Sequence, residues 1–277
     1  MVYLIITFVI GLIIGSFLNC LVWRLHKKQT IMGRSYCPEC KHQLAWYDNI
    51  PLLSYLFLRG KCRYCQKRIF WQYPAVELVT GILFALAFYY NFQFEISNYN
   101  LLSTFNFQLS ALLTLARDWF LISVMVVIFI YDLRWYLILD VVTLPAAVII
   151  LILNLTISYL QTNQCWQCIE WSNLLISGII GGSFFLAQFV VSKGRWIGGG
   201  DIRLGLLMGL ALGWPNILVA LFIAYILGAV VGLGLMAAGQ KQWGSKLPFG
   251  VFLASASIIT LLWGDKILAW YLTTLRF

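Results

Sequence analysis

From Val2 to Trp23 the chain runs for 22 residues without a charged side chain. A helix of about 20 apolar residues crosses a hydrocarbon core, so a bilayer is the first constraint on how this chain folds. The pattern recurs. Apolar segments fall at 2–23, 74–92, 111–131, 137–160, 173–192, 199–214, 216–238 and 248–272, the sixth being short and led by glycines. Charged residues are 10% of the 277, where a soluble domain carries about a quarter. The expected fold class is an all-α polytopic membrane protein with about eight transmembrane helices. The first segment has no basic region ahead of it and no evident cleavage site, so it reads as a retained helix.

Charge placement sets the expected sidedness. Residues 24–73 hold ten of the 19 Lys and Arg residues against two acids, Glu39 and Asp48. Short loops rich in Lys and Arg stay in the cytoplasm, which puts this loop inside and the N-terminus outside. The links 93–110 and 161–172 contain no Lys or Arg and should face outward. Arg134, the trio Lys193, Arg195 and Arg203, and the pair Lys241 and Lys246 all fall inside if 204–238 is a hairpin turning at "GWPN", Gly213–Asn216. Such loops account for the net charge of +9, so nucleic acid is not an expected partner and the lipid bilayer is. Nothing in the residues fixes an oligomeric state.

The basic loop carries "CPEC" and "CRYC". Cys37 and Cys40 form one CxxC and Cys62 and Cys65 a second, 21 residues on. That spacing suits a tetrahedral Cys₄ zinc site, and four thiolates leave no open position, so the Zn²⁺ would be structural. Two pairs of reduced thiols are the plainer reading, and a cytosolic disulfide is disfavoured. A metal staple suits a loop of about 50 residues, which has too small a core to fold alone. Three parts follow: a first helix at 1–23, a small zinc-stapled cytoplasmic loop domain at 24–73, and a seven-helix core at 74–277. Cys165 and Cys168 form a third CxxC in an outward loop and read as a local structural pair. Cys20 reads as a buried small hydrophobe.

An ionisable side chain inside a span is costly and is a functional candidate. Four of the ten acids stand out. Asp132 closes the third span in "VIFIYDLRW", Asp140 opens the fourth, Asp201 follows Gly198, Gly199 and Gly200, and Glu77 lies one turn into the second span. The sidedness above puts Asp132 and Asp201 in one layer at the cytoplasmic boundary. The glycines let backbone or substrate approach closely. Two carboxylates facing each other there would share one proton, so that one activates water while the other polarises a carbonyl. Pairing of each Asp with its neighbour, Arg134 or Arg203, is the competing reading. Glu77 either orients the loop or touches substrate, or pairs with a loop arginine.

Six stretches in order carry a resemblance over nearly the whole chain: "GSFLNCLVWRL" (Gly15–Leu25), the cysteine tetrad with "WYDNIPLLSYLFLRGKC", "YPAVELVTG" (Tyr73–Gly81), "YDLRWYLILDVVTLP" (Tyr131–Pro145), "GGGDIRLG" (Gly198–Gly205) and "LPFGVFLA" (Leu247–Ala254). With them the chain resembles the type 4 prepilin peptidases, membrane aspartic proteases of the GxGD kind. The resemblance implies removal of the basic leader of prepilins and pseudopilins at the inner face of the bacterial cytoplasmic (inner) membrane. It also implies N-methylation of the new terminus with S-adenosylmethionine, although the sequence shows no separate motif for that cofactor. It places the catalytic aspartates at Asp132 and Asp201, the zinc ligands at Cys37, Cys40, Cys62 and Cys65, and a further family aspartate at Asp140. Many relatives have an acid where this chain has Arg134 and a proline where it has Leu139. A cation beside Asp132 would leave the shared proton on Asp201. "GSFLNC" reads as a small-residue packing face whatever the activity. A transporter or ion pathway with Asp132 and Asp201 as relays is the alternative from another class, and a non-enzymatic assembly factor docking through the cysteine loop is a third.

Overall fold

Without water in a bilayer core, backbone polar groups must pair within their own segment, and apolar runs of this length therefore fold as helices. The computed structural model describes residues 1–96, 105–162, 171–242 and 245–275. Among them the regular structure is helical, relieved by a short 3-10 turn at Trp46–Asn49 and two isolated β-bridges. The helices are α1 (Val2–His26), α2 (Leu53–Phe57), α3 (Gln72–Ile96), α4 (Phe105–Trp135), α5 (Asp140–Gln161), α6 (Trp171–Ser192), α7 (Gly199–Leu212), α8 (Asn216–Ala237) and α9 (Phe249–Leu275). Seven of these, all but α2 and α7, are long and apolar enough to cross a membrane. Cys165, Cys168 and Glu170 lie outside the described residues. The chain divides into two compact units, Met1–Phe92 and Gln93–Phe277.

In the first unit α1 and α3 run antiparallel on small residues. A Cβ at Gly11 would lie 2.7 Å from Gly81 Cα, and one at Gly15 would lie 2.8 Å from Glu77 Cα, so the "GSFLNC" stretch is a packing face. Asn19 continues the register, donating to the Tyr73 carbonyl at 3.0 Å. Cys20 is only half-buried, a correction to the expected core position, because it sits off the seam that Gly15 and Asn19 define. Past Trp23 the buried Arg24 guanidinium donates to the carbonyls of Ile31, Gly33 and Arg34, which folds the chain back from the end of α1.

In the second unit the shortness of α7 has a visible cause. Its 14 residues rise about 21 Å, less than a hydrocarbon core of about 30 Å. Gly209 packs on the Ser177 carbonyl and Gly205 on Gly181, so α7 is antiparallel to α6 with no side chains between the backbones. The turn beyond α7 is fixed to the start of α6, Asn173 Oδ1 accepting the Trp214 N–H at 2.8 Å. Carried toward the start of α7, that register sets Asp201 level with Phe185. From Phe185 to Ser192, α6 continues for seven residues, about 10 Å. The first turn of α7 is thus recessed from the C-terminal end of α6.

Among the boundaries that differ from the sequence-based expectation, two lie beside Asp132 and Asp140. The third span continues past Asp132 to Trp135, because Arg134 and Trp135, in cation–π contact at 5.8 Å, extend the helix with an amphipathic tail. The fourth starts at Asp140, since residues 137–139 form an irregular link and the acid stands in the first turn, where the helix dipole favours it. A buried polar chain also ties α4, α5 and α7. Arg117 Nη2 pairs with Asp118 Oδ1 at 2.7 Å, Arg117 Nη1 reaches Asn154 Oδ1 at 3.0 Å, and Asn154 Nδ2 donates to the Leu210 carbonyl at 2.8 Å.

Candidate active site and metal centre

Asp132 is buried in α4, and its Oδ2 accepts the Val251 N–H at 3.1 Å, with the Gly250 N–H also directed at it. Those two amides belong to the first turn of α9, where N–H groups lack partners in their own helix. The positive end of α9 thereby offsets part of the cost of burying a carboxylate. Asp201, equally buried, is the third residue of α7, and its Oδ2 reaches back to the Gly198 N–H at 2.9 Å. That bond is one half of a capping box. Two helix N-termini therefore each hold one aspartate.

The two carboxylates are close enough to interact electrostatically. Ile138, in the link between α4 and α5, shows how they are brought together. Its side chain lies 2.8 Å from where a Cβ on Gly200 would be and 3.1 Å from where one on Gly250 would be. Gly200 precedes Asp201, and a Cβ on Gly250 would lie 2.9 Å from Asp132 Oδ2. One apolar side chain thus touches the supports of both acids. The glycines of "GGGD" differ in what they do: Gly199 faces open space, Gly198 is uncrowded, and Gly200 is pressed on Ile138. None of the three has a positive φ, so close approach at Gly200, not left-handed backbone, calls for glycine here.

The neighbouring ions are engaged elsewhere. Arg203 pairs with Asp140, joining the first turns of α7 and α5, and leaves Asp201 to the Gly198 amide. Sequence reasoning missed a polar group on α8. Tyr225 of α8 lies within electrostatic reach of Asp201 and donates to Gln188 Oε1 at 2.8 Å. Its ring meets those of Phe249 and Phe184 edge-on, at 5.2 and 5.8 Å. A tyrosine in an apolar helix gives no sequence signal. Gly250 and Val251 lie in "LPFGVFLA", a stretch the sequence singled out without a role.

In the first unit the four sulfurs of Cys37, Cys40, Cys62 and Cys65 all lie within 4.8 Å of one another. Tetrahedral zinc with Zn–S bonds of about 2.3 Å requires S···S separations of about 3.8 Å. Cys37 and Cys65 stand 3.9 Å apart, so the donor set fits the ion. The two knuckles fold alike. Lys41 N–H returns to the Cys37 carbonyl and Gln66 N–H to the Cys62 carbonyl, and Lys41 and Gln66 share a left-handed backbone, with φ of 58° in each. An ion pair between Lys67 and Glu39 at 2.5 Å links them. Burial pushes the Cys37 thiol up to about 11. Burial also acts to raise Cys62, but amide hydrogen bonds from Cys65 and Tyr64 and its thiol neighbours hold it down at about 7. Thiols so close are ready to share a cation that replaces their protons.

Glu77 belongs to this unit. Its Oε2 accepts the Leu52 N–H at 2.9 Å, and Ser16 of α1 also bonds it. A loop backbone amide and a side chain of α1 are thus the partners it has, where an arginine of the loop was one expectation.

Two family models match the chain. The bacterial peptidase A24 N-terminal domain covers residues 9–91 and the type IV leader peptidase family covers residues 119–233. Prepilin leader peptidase/N-methyltransferase of Bacillus subtilis (strain 168) is 32% identical over 268 residues, spanning 96% of this chain and 97% of that protein. The chain belongs to the type IV leader peptidase family. Proteins of the same printed name from Aeromonas hydrophila and Pseudomonas aeruginosa are each 30% identical, over 98% of this chain and 94% and 93% of theirs. No solved structure matches. The first family model lies within the first compact unit and the second within the other. This leader peptidase therefore carries its thiol cluster and its paired aspartates in separate units.

Proposed function

We propose that this membrane enzyme is a prepilin peptidase, an aspartic endopeptidase that removes the basic leader of type IV prepilins or pseudopilins at the cytoplasmic face of the bacterial inner membrane. The catalytic residues are Asp132 and Asp201. The observation that carries this reading is two buried carboxylates from distant stretches, each held by a helix N-terminus, with the glycines that support them packed on one side chain, Ile138. Two such acids cannot both ionise readily, so one is a base and the other an acid. The ionised aspartate takes a proton from water, and the protonated one donates to the oxygen of the scissile carbonyl. Backbone amides fix both carboxylates, so neither needs to reorganise during the reaction.

Asp140 and the glycines Gly198, Gly199 and Gly200 support this arrangement. The Asp140–Arg203 pair fixes the start of α7, and Gly200 lets α7 close on Ile138. Residues 24–73 form a cytoplasmic module in which Cys37, Cys40, Cys62 and Cys65 hold a structural Zn²⁺, with the peptidase core in 74–277. Zinc held by four thiolates would cross-link the knuckles without joining the chemistry. The N-terminus lies outside and the basic loop inside. The second activity, N-methylation of the terminus that cleavage exposes, follows the printed name of the relatives, and S-adenosylmethionine would supply its methyl group.

The test is incubation of the purified protein with a prepilin in detergent. A product shortened by the leader, absent with Asp201→Asn, is the expected result. Intact substrate with the wild-type protein would count against a peptidase. Mass spectrometry of the new N-terminus reads methylation, and a shift of one methyl group is expected when S-adenosylmethionine is added.

A further inference from the structure

The five-residue α2 leaves its apolar side chains uncovered: Leu53, Leu56 and Phe57 are 52%, 68% and 82% exposed. So short a helix has no stability of its own in water. Its depth suggests what surrounds it. The Leu52 N–H that precedes α2 is bonded to Glu77 Oε2, and Glu77 lies five residues, about 7.5 Å, inside the spanning segment that begins at Gln72. On the other side of the pair, Gly15 of α1 is level with Glu77, and α1 continues to His26. The start of α2 therefore lies beside two membrane helices and short of their ends. At 5–10 Å below the surface an interfacial helix buries its apolar face at the boundary of headgroups and acyl chains.

Charge favours lipid over a protein partner as what covers this face. Arg59 and Lys61 follow α2 directly, and the loop of 24–73 holds ten Lys and Arg residues against Glu39 and Asp48. Both acids are already paired, Glu39 with Lys67 and Asp48 with Arg63. The surplus is positive and complements an anionic leaflet, where each Lys or Arg near the surface contributes about 1 kcal/mol. A second copy of this chain would bring a like charge to the same face.

We propose that α2 is an interfacial anchor. Leu53, Leu56 and Phe57 lie in the acyl boundary of the cytoplasmic leaflet, and Arg59 and Lys61 meet anionic headgroups there. The thiol module is thus held flat against the membrane. This inference rests on α1 and α3 as spans and on the loop lying inside, and is independent of which residues are catalytic.

Photo-crosslinking of the full chain tests it. Benzoylphenylalanine is placed at position 56, 57 or, as a control, 39, and each protein is reconstituted in bilayers of phosphatidylethanolamine with phosphatidylglycerol. Zinc content is checked against wild type, so that only folded modules are compared. Lipid adducts several-fold more abundant at 56 and 57 than at 39 are expected. A fall in that yield when phosphatidylcholine replaces phosphatidylglycerol is expected too. Equal yields at 57 and 39 would overturn the anchor, as would adducts at 57 to another protein chain in place of lipid. Indifference to the anionic lipid would overturn the role given to Arg59 and Lys61.

Discussion

The three glycines ahead of Asp201 are not equivalent, and alanine separates them. A Cβ at Gly199 meets nothing within 4 Å, and one at Gly198 meets Asp201 Oδ2 at 3.6 Å, an ordinary contact. A Cβ at Gly200 would lie 2.8 Å from Ile138 Cβ, with two further atoms of that side chain at 3.6 Å. Restoring a carbon–carbon contact of about 3.5 Å or more requires α7 and the Ile138 link to part by roughly 0.7 Å. Ile138 cannot yield freely, because it also packs on Gly250, which supports Asp132. Asp201 is one residue from the displaced atom, so its carboxylate moves with it. A 1 Å misplacement costs about a hundredfold in rate, which puts the Gly200→Ala loss at roughly 10- to 50-fold in kcat. Gly199→Ala should keep near wild-type activity and gain up to about 1 kcal/mol from a less flexible unfolded chain. The assay is cleavage of a prepilin in detergent under single-turnover conditions, with Asp201→Asn as the inactive reference and thermal unfolding run alongside. Equal rates for Gly199→Ala and Gly200→Ala, in proteins of equal stability, would refute the packing argument.

Other substitutions test the remaining supports. Asp132→Asn and Asp201→Asn should each leave full-length prepilin in membranes while the enzyme accumulates normally, read on a gel of co-expressed proteins. Cys37→Ser combined with Cys62→Ser should lose the bound zinc that elemental analysis finds in wild type, and the loop should become a ready protease target, since a metal-dependent fold of this size lacks a sufficient core. Asn154→Leu leaves the Leu210 carbonyl and an Arg117 donor without their bonds, and should cost about 1–3 kcal/mol in detergent unfolding. The Asp140–Arg203 pair is about half exposed, so Asp140→Asn should cost no more than about 1 kcal/mol, with Arg203→Ala adding little to it in a double-mutant cycle.

How much of this was legible in the chain follows from the range of each interaction. Spans and knuckles are local patterns: a run of apolar residues, or a CxxC, states its own structure. Seven spanning helices and the cluster of four thiols accordingly match what the residues imply. Asp132 and Asp201 stood out because a charge in lipid is costly wherever the rest of the fold lies. What supports them was not legible. Ile138, Gly250 and Val251 matter through contacts between elements as much as 119 positions apart, and the signals of Tyr225 and Asn154 are those of any polar residue in a helix. The sixth segment is present as the short helix α7, and its depth was hidden for a related reason. A run of 16 residues at 199–214 suggests a short crossing, whereas only the α6 register shows where its N-terminal end stops.

That stop has a consequence for the substrate. In the register of α6 and α7, Asp201 lies seven residues, about 10 Å, short of the C-terminal end of α6. A helical substrate would need about seven residues to cover that depth, and an extended one about three, at roughly 3.3 Å each. Peptide bonds within a helix are shielded by their own hydrogen bonds, so attack by water favours the extended form. On the proposed reading, then, a prepilin must present its cleavage site at least three residues away from any folded or bulky element on the leader side. Moving a rigid tag along the leader would measure this directly. Cleavage should persist with the tag far from the scissile bond and fail once fewer than about three residues separate them. Unchanged cleavage with the tag directly adjacent would place Asp201 at the surface and discard the recess.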